Sequence, residues 1–435
     1  MLVAPCLRGW QIRWLNAPDF CFLCAVIFLE YIFGALAALS CALSLWQWLA
    51  ARKFPLHRKI AVENFAPAVS ILKPLKGCDE TTSVSLESWF KQNYTGPTEI
   101  LFGVAEAADP VCEIVRRLIA ENPNCRVQLV VCKNLSGTNA KATKLAQLEK
   151  LAAHDLILIS DADVRVPPDF LANFVAPFAT NPGTTERPLT PSLSPVAGER
   201  VAEGRVRGEI GLVNCFYRLA NPVTTAMQWE AVAVNADFWS QVLQSQTLKP
   251  LDFALGAAIL VRRKSLNEVD GFASLVDCLA DDYQLGHRIA KNGHRIALCP
   301  IVVECWDAPQ NWVQAWRHQL RWARTIRVCQ PLPYFFSLLA NATWWPLLWL
   351  AVAVAAENSF CVPLTAIAFL LLRIGLAQHL QRLFTPERKL ISPAWLVPVK
   401  DLLNVAIWLA AFLGNTIEWR GRKITLRRDG TLAEN

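Results

Sequence analysis

Charge is the first thing this 435-residue chain is short of: Asp, Glu, Lys and Arg make up 18% of it, against 53% hydrophobic residues. That balance excludes an ordinary soluble enzyme yet leaves too many charges for a pure membrane bundle, so a mixed protein is expected. The glycine loops that cradle phosphates are missing as well. Neither G-x-G-x-x-G nor G-x-x-x-x-G-K-[ST] occurs, so a nucleotide held here needs another device, such as a metal. The fourteen cysteines have no zinc-type paired spacing, and the only C-x-x-C, Cys21 with Cys24, lies inside an apolar run. Packing is their expected role, and a cytosolic domain would keep them reduced, without disulfides. No internal repeat is evident. The basic surplus, net +7, clusters beside apolar segments, which fits an anionic membrane surface and excludes nucleic acid as the expected partner.

The apolar excess sits towards the two ends. After an uninformative N-terminal tail (1–19), residues 20–50 form a run whose only charge is Glu30. It exceeds the roughly 20 residues that span a bilayer. It lacks a small-residue cleavage site, so it reads as a retained anchor. Arg52, Lys53, Arg58 and Lys59 follow directly and place the next domain on the cytoplasmic side, with Arg8 and Arg13 as the weaker opposing signal. A membrane region (334–416) with two or three helices is expected, with spans from about Tyr334 to Ala356 and Ser359 to Leu380. The stretch Leu402 to Gly414 reads as an interfacial helix, because a crossing would put the basic tail (417–435) outside; a further crossing stays open.

Between these regions, residues 66–330 alternate strand and helix patterns. "VSIL" (Val69 to Leu72), "EILFGV" (Glu99 to Val104), "VQLVV" (Val127 to Val131) and "DLILIS" (Asp155 to Ser160) read as strands. Helices are predicted at Ser83 to Gln92, Pro110 to Glu121 and Ala140 to His154. Such alternation predicts a doubly wound, mostly parallel sheet that binds ligands beyond the carboxyl ends of its strands. Residues 181–208, rich in Pro, Gly, Ser, Thr and charge, break the pattern and are expected to be a disordered insertion.

Four places could carry chemistry. Asp161 and Asp163 end the apolar run "LILISDADVRVP"; their spacing on an extended segment aims both carboxylates one way, suiting Mg²⁺ or Mn²⁺ on a diphosphate, although Asp pairs after strands also serve as turn formers. Asp281 and Asp282 open a helical pattern; the charges either complement the helix N-terminus or make Asp282 a general base. Arg317, Arg321 and Arg324 share a helical face interleaved with Trp312, Trp316 and Trp322. That helix is either an interfacial anchor or a device in which Arg321 grips a diphosphate beside a Trp322 wall. Lys141, near a helix start at Asn139, is expected to face solvent, and His287 and His294 to be packing or surface residues.

The order apolar anchor, "KPLKGCD", D-x-D, "ADDY", "HQLRW" and C-terminal apolar segments resembles the lipid-directed and processive inverting glycosyltransferases of GT-A fold, above all the ceramide glucosyltransferase family, family 21. The resemblance runs from about Val69 to Cys329 apart from the insertion, and weakly into "WRGRKITLRRDGT". It implies a Rossmann-like α/β GT-A domain at the cytoplasmic face, with N- and C-terminal transmembrane helices. It implies nucleotide-side roles for Asp79 and Asp161, a divalent metal on Asp161 and Asp163, Asp282 as base, and Arg321 with Trp322 at the end of a (Q/R)-x-x-R-W motif. His318 departs from that motif, and Asp163 supplies a carboxylate that ceramide enzymes usually lack. The insertion and "RHQLRWARTIR" point to a bacterial, hopanoid-directed branch. The expected partners are a UDP-sugar and a lipid, the hopanoid polyol bacteriohopanetetrol receiving N-acetylglucosamine, or ceramide. A multi-pass protein of the bacterial inner membrane is the expected setting; a processive polysaccharide synthase and an inactive membrane scaffold are the rival readings.

Overall fold

Side-chain alternation along the first strands decides the layering. In a computed structural model describing residues 17–133, 137–179, 208–355, 361–387, 391–419, 422–427 and 430–434, the apolar runs form β1 (Val69–Pro74), β2 (Thr98–Val104), β3 (Arg126–Val131) and β4 (Leu156–Ser160). Ile71, Phe102 and Leu158 enter one core, while Leu72, Leu101 and Ile159 enter another. β1, β2 and β4 are buried almost throughout, which is why they read as largely hydrophobic runs, whereas β3 at the sheet edge is partly exposed.

Four more strands, β5 (Val164–Arg165), β6 (Ile210–Leu219), β7 (Ala258–Arg262) and β8 (Arg295–Cys305), complete a sheet of order β3-β2-β1-β4-β7-β6-β8-β5. β1 to β4 run parallel, as do β6 and β8, while β7 and β5 oppose their neighbours. The expected mostly parallel α/β sheet of GT-A type is present, with β1 and β4 adjacent and their carboxyl ends on one edge. The expected insertion lies outside the described residues except for Gly208.

Among the described residues two helices are long and apolar enough to cross a membrane, Ala25–Lys53 within the longer helix Ala17–Lys53, and Cys361–Phe384. The span expected from Tyr334 is a bent pair: Pro331–Ala340 meets Trp344–Ala355 at 47°. Asn341 Oδ1 caps the second piece by accepting from Trp344 N–H at 2.9 Å. The helix expected near Leu402 starts earlier, Leu396–Phe412, and one face of it is packed: Val397, Ile407 and Ala411 join Trp229, Trp239 and Phe384 in one core with Ala51 of the first helix and Phe54 just beyond its end. Its Lys400 and Asp401 are buried against Asp237 and Arg373.

The chain's end is not a loose basic tail. Thr416–Trp419, Arg422–Leu426 and Leu432–Glu434 form a three-stranded antiparallel sheet. Ile417, Ile424, Leu426 and Leu432 pack on Leu279. Leu432 N–H donates to the Asp277 carbonyl at 2.8 Å, so this small sheet braces the segment that leads into Asp281.

Candidate active site

The D-x-D pair sits where β4 leaves the sheet. Beneath that turn, Lys73 of β1 is wholly buried and donates to the Asp161 carbonyl at 2.7 Å and to Ser160 Oγ at 3.2 Å. Burial pulls the Lys73 ammonium down to about 7, against the opposing fields of Asp163 and Asp161. The Asp163 carbonyl accepts from Trp306 N–H at 3.0 Å. Burial, Asp161 and Asp307 together push the Asp163 carboxyl up to about 7.

Across the cleft, the helix Asp281–Lys291 opens with both acidic residues. Asp282 Oδ1 accepts from Tyr283 N–H at 2.8 Å. Burial and the neighbouring Asp281 push its carboxyl up to about 6, partly offset by Lys141. The other oxygen, Oδ2, lies over Gly256: a Cβ there would stand 2.5 Å from it. A glycine is what lets the backbone pass so close.

Lys141 joins the two acidic groups. Its ammonium lies 2.8 Å from Asp161 Oδ1 and 3.3 Å from Asp281 Oδ2, with the side chain 14% exposed. The solvent-facing expectation for Lys141 is therefore wrong. Burial works against its charge, but Asp161, Asp281 and Asp282 outweigh that and hold its pKa well above the usual lysine range. Asn139, fully buried, fixes the arrangement. Its Oδ1 caps the helix Ala140–Glu149 through Lys141 N–H and Ala142 N–H, while its Nδ2 donates to the Cys278 carbonyl at 2.7 Å. A sequence signal existed: a lysine in the first turn of a helix opposes the macrodipole and calls for an acidic partner.

The helix Trp312–Cys329, closed at its start by an Asn311/Gln314 capping box, carries the arginine and tryptophan set. Trp322 is half-buried, with ring centroids 4.9 Å from His318, 6.2 Å from Phe238 and 6.4 Å from Tyr217. Burial raises the Tyr217 hydroxyl well above its ordinary range, and the charges of Asp282 and Asp161 add to this, so Trp322 packs against a tyrosine that feels both acidic groups. Arg321 is half-buried on the same turn. Arg324 leaves that set, since it donates to the Thr416 carbonyl of the C-terminal sheet. His318 has a partner that the motif alone did not reveal: its Nδ1 lies 2.6 Å from Oε1 of the buried Glu230, which also accepts from Gln319 Nε2 at 2.8 Å.

Asp79 stands beyond β1, and its Oδ1 is taken up locally by Thr81 and Thr82, two backbone and two hydroxyl donors at 2.7–2.9 Å. Burial alone would raise its carboxyl; these bonds hold it below the usual range. His287 stacks on Tyr283 and His294 pairs with Glu268 at 2.5 Å, as packing and surface roles require. The eleven cysteines from Cys41 to Cys361 are free thiols.

Among the described residues no three His, Cys, Asp or Glu side chains gather as a complete ligand set for a metal. Asp161 and Asp163 nevertheless fit a hard divalent cation that takes its remaining ligands from phosphate and water, the usual habit of Mg²⁺.

A family model described as Glycosyl transferase family 21 matches residues 32–189 and 199–432. Ceramide glucosyltransferase 1 of Caenorhabditis elegans is 23% identical over 258 residues, 59% of this chain and 48% of that protein. The ceramide glucosyltransferase of Candida albicans is 31% identical over 124 residues, 26% of this chain and 23% of that protein. The chain spans about half the length of the first of these relatives, 48%. A mannosyltransferase from Pyrobaculum calidifontis, solved with GDP-mannose and Mn²⁺, superposes with a TM-score of 0.49 at 21% identity, covering 88% of this chain and 98% of that one.

Proposed function

The chain belongs to glycosyl transferase family 21, and from that premise we propose that it is a membrane-bound inverting glycosyltransferase that moves a sugar from a UDP-sugar to a lipid hydroxyl. The observation that carries the reading is Asp282, a carboxylate pushed up to about 6 beside Asp281, which Lys141 links to Asp161 of the D-x-D pair. At neutral pH it is mostly ionised, yet basic enough to take a proton, which is what a general base needs. Asp282 receives the acceptor proton as the hydroxyl oxygen attacks the anomeric carbon. The bond to UDP breaks on the opposite face, and the configuration inverts. Asp161 and Asp163 would hold Mg²⁺ or Mn²⁺, which when bound offsets charge on the departing diphosphate. Asp79 serves the nucleotide side, Arg321 shares the diphosphate charge, and Trp322 walls the acceptor.

In the finer reading, the sugar is N-acetylglucosamine and the acceptor bacteriohopanetetrol. The enzyme is then a multi-pass protein of a bacterial inner membrane, with its GT-A domain (66–330) at the cytoplasmic face. The sequence "RHQLRWARTIR" and the insertion are what support that branch. Glucose transfer to ceramide is the second reading, favoured by the names of the relatives. The test incubates purified protein and Mn²⁺ with UDP-N-acetylglucosamine or UDP-glucose and both lipids, followed by lipid mass spectrometry beside Asp282→Ala. Glycosylated hopanoid from the intact enzyme alone supports the first reading, and glycosylated ceramide the second. No product from either lipid refutes both.

A further inference from the structure

Lys141 carries an inference that builds on the reading of Asp161 as a metal ligand. Its ammonium stands 2.8 Å from one oxygen of Asp161, where a divalent cation would have to bind, while its second contact holds Asp281 at 3.3 Å. We propose that Lys141 is a built-in counter-ion: it occupies the cation position of the D-x-D turn in the substrate-free protein and leaves Asp161 when metal and nucleotide-sugar arrive.

Three features favour an exchange over a permanent bridge. The backbone of Lys141 is fixed, because Asn139 caps its helix and ties that helix to the Cys278 carbonyl, so only the flexible four-carbon side chain has to move. The two acidic contacts are unequal: the Asp161 side chain is 38% exposed and open to incoming ligands, whereas that of Asp281 is 14% exposed. The helix N-terminus behind Lys141 repels its charge, so the ammonium needs an acidic partner, and Asp281 still supplies one after Asp161 is surrendered. An ammonium and a divalent cation on one carboxylate repel each other at contact distance, and the diphosphate that enters with the metal tips the exchange. Metal binding should therefore be weak without nucleotide and stronger with it. The lysine that delays the metal also keeps three carboxylates from repelling one another in the empty site.

The test measures Mn²⁺ binding to the full-length, detergent-solubilised protein by loss of the free-ion electron paramagnetic resonance signal, with and without UDP. Lys141→Met should bind Mn²⁺ without UDP about 10- to 100-fold more tightly than the unaltered protein, the range released by losing one competing charge-assisted bond. Lys141→Arg, which keeps the charge, should bind as the parent does, and Asp161→Asn should abolish the difference. Lys141→Gln serves as the second neutral variant should Lys141→Met fail to fold. A merely structural lysine predicts the reverse, looser binding in the neutral variants. Mn²⁺ bound by the parent with UDP, but no more tightly by Lys141→Met or Lys141→Gln, overturns the counter-ion while leaving the D-x-D reading intact. Absence of Mn²⁺ binding by every variant, with or without UDP, overturns the D-x-D reading and this inference with it.

Discussion

Adding one methyl group at Gly256 tests whether Asp282 must stand where it does. An alanine Cβ would lie 2.5 Å from Asp282 Oδ2 and 3.3 Å from its Cγ, where ordinary contact begins at 3.4 Å. The oxygen must therefore retreat by about 1 Å or the side chain rotate, at the expense of the 2.8 Å bond from Tyr283 N–H. A displacement of about 1 Å at a reacting group costs on the order of 10²-fold in rate, or about 2.7 kcal/mol of barrier. Gly256 itself is not in the left-handed region, so the backbone tolerates alanine, and overpacking should cost about 1–3 kcal/mol of stability. The expected result for Gly256→Ala is a kcat roughly 10²-fold lower with donor KM nearly unchanged, measured by UDP release, and a folded protein by thermal melting. The double variant with Asp282→Asn should be no slower than Asp282→Asn alone, because both act through one carboxylate. A Gly256→Ala protein within about threefold of the parent kcat would refute the placement of the base. Additive losses in the double variant would refute the mechanism.

Asp282→Asn should itself lower kcat/KM by about 10²- to 10⁴-fold. The parent profile should fall as pH drops through about 6, where the carboxyl takes up its proton; the variant should lack that limb, and a limb that persists assigns the proton elsewhere. Arg373→Leu should destabilise the detergent-solubilised protein by about 3–5 kcal/mol, because it leaves Asp237 and Asp401 buried with Lys400 as their one remaining cation in the cluster. A melting temperature within a degree of the parent would show that the cluster is hydrated rather than sealed.

Strands β1, β2 and β4 were legible because a strand buried on both faces is apolar at most positions, and β3, a partly exposed edge strand, because Val127, Leu129, Val130 and Val131 still make an apolar, β-branched run; both patterns are local. β8 was not, because Pro300 interrupts "RIALCPIVVEC", and a proline argues against an interior strand. Its pairing with β6 shifts register between Cys215 and Tyr217, and the Pro300 carbonyl accepts from His57 N–H. The irregularity lets the strand carry a residue that cannot donate. The C-terminal sheet was hidden by its own charge: the arginines of "WRGRKITLRR" read as a membrane-facing tail, while Ile424 and Leu426, two apart and both buried, carried the strand signal. The burial of Lys400 likewise left no local signal, since its partner Asp237 lies 163 residues earlier.

The acidic residues of the site were legible as positions but not as a constellation. Both Asp pairs had an ordinary alternative, capping or turn formation, and the structure shows why the alternatives never competed. Asp282 makes no side-chain cap of its helix; it uses one oxygen locally, accepting from Tyr283 N–H, and keeps the other over Gly256, so the local bond aims the carboxylate. Asp79 likewise spends Oδ1 on Thr81 and Thr82. A carboxylate has two oxygens, so one can be held by the local backbone while the other stays available. What no spacing rule could supply was the cation between the groups. Lys141 is 20 residues from Asp161 and 140 from Asp281 along the chain, and only the folding of the Ala140–Glu149 helix against the Val276–Asp281 segment, pinned by Asn139, brings all three together.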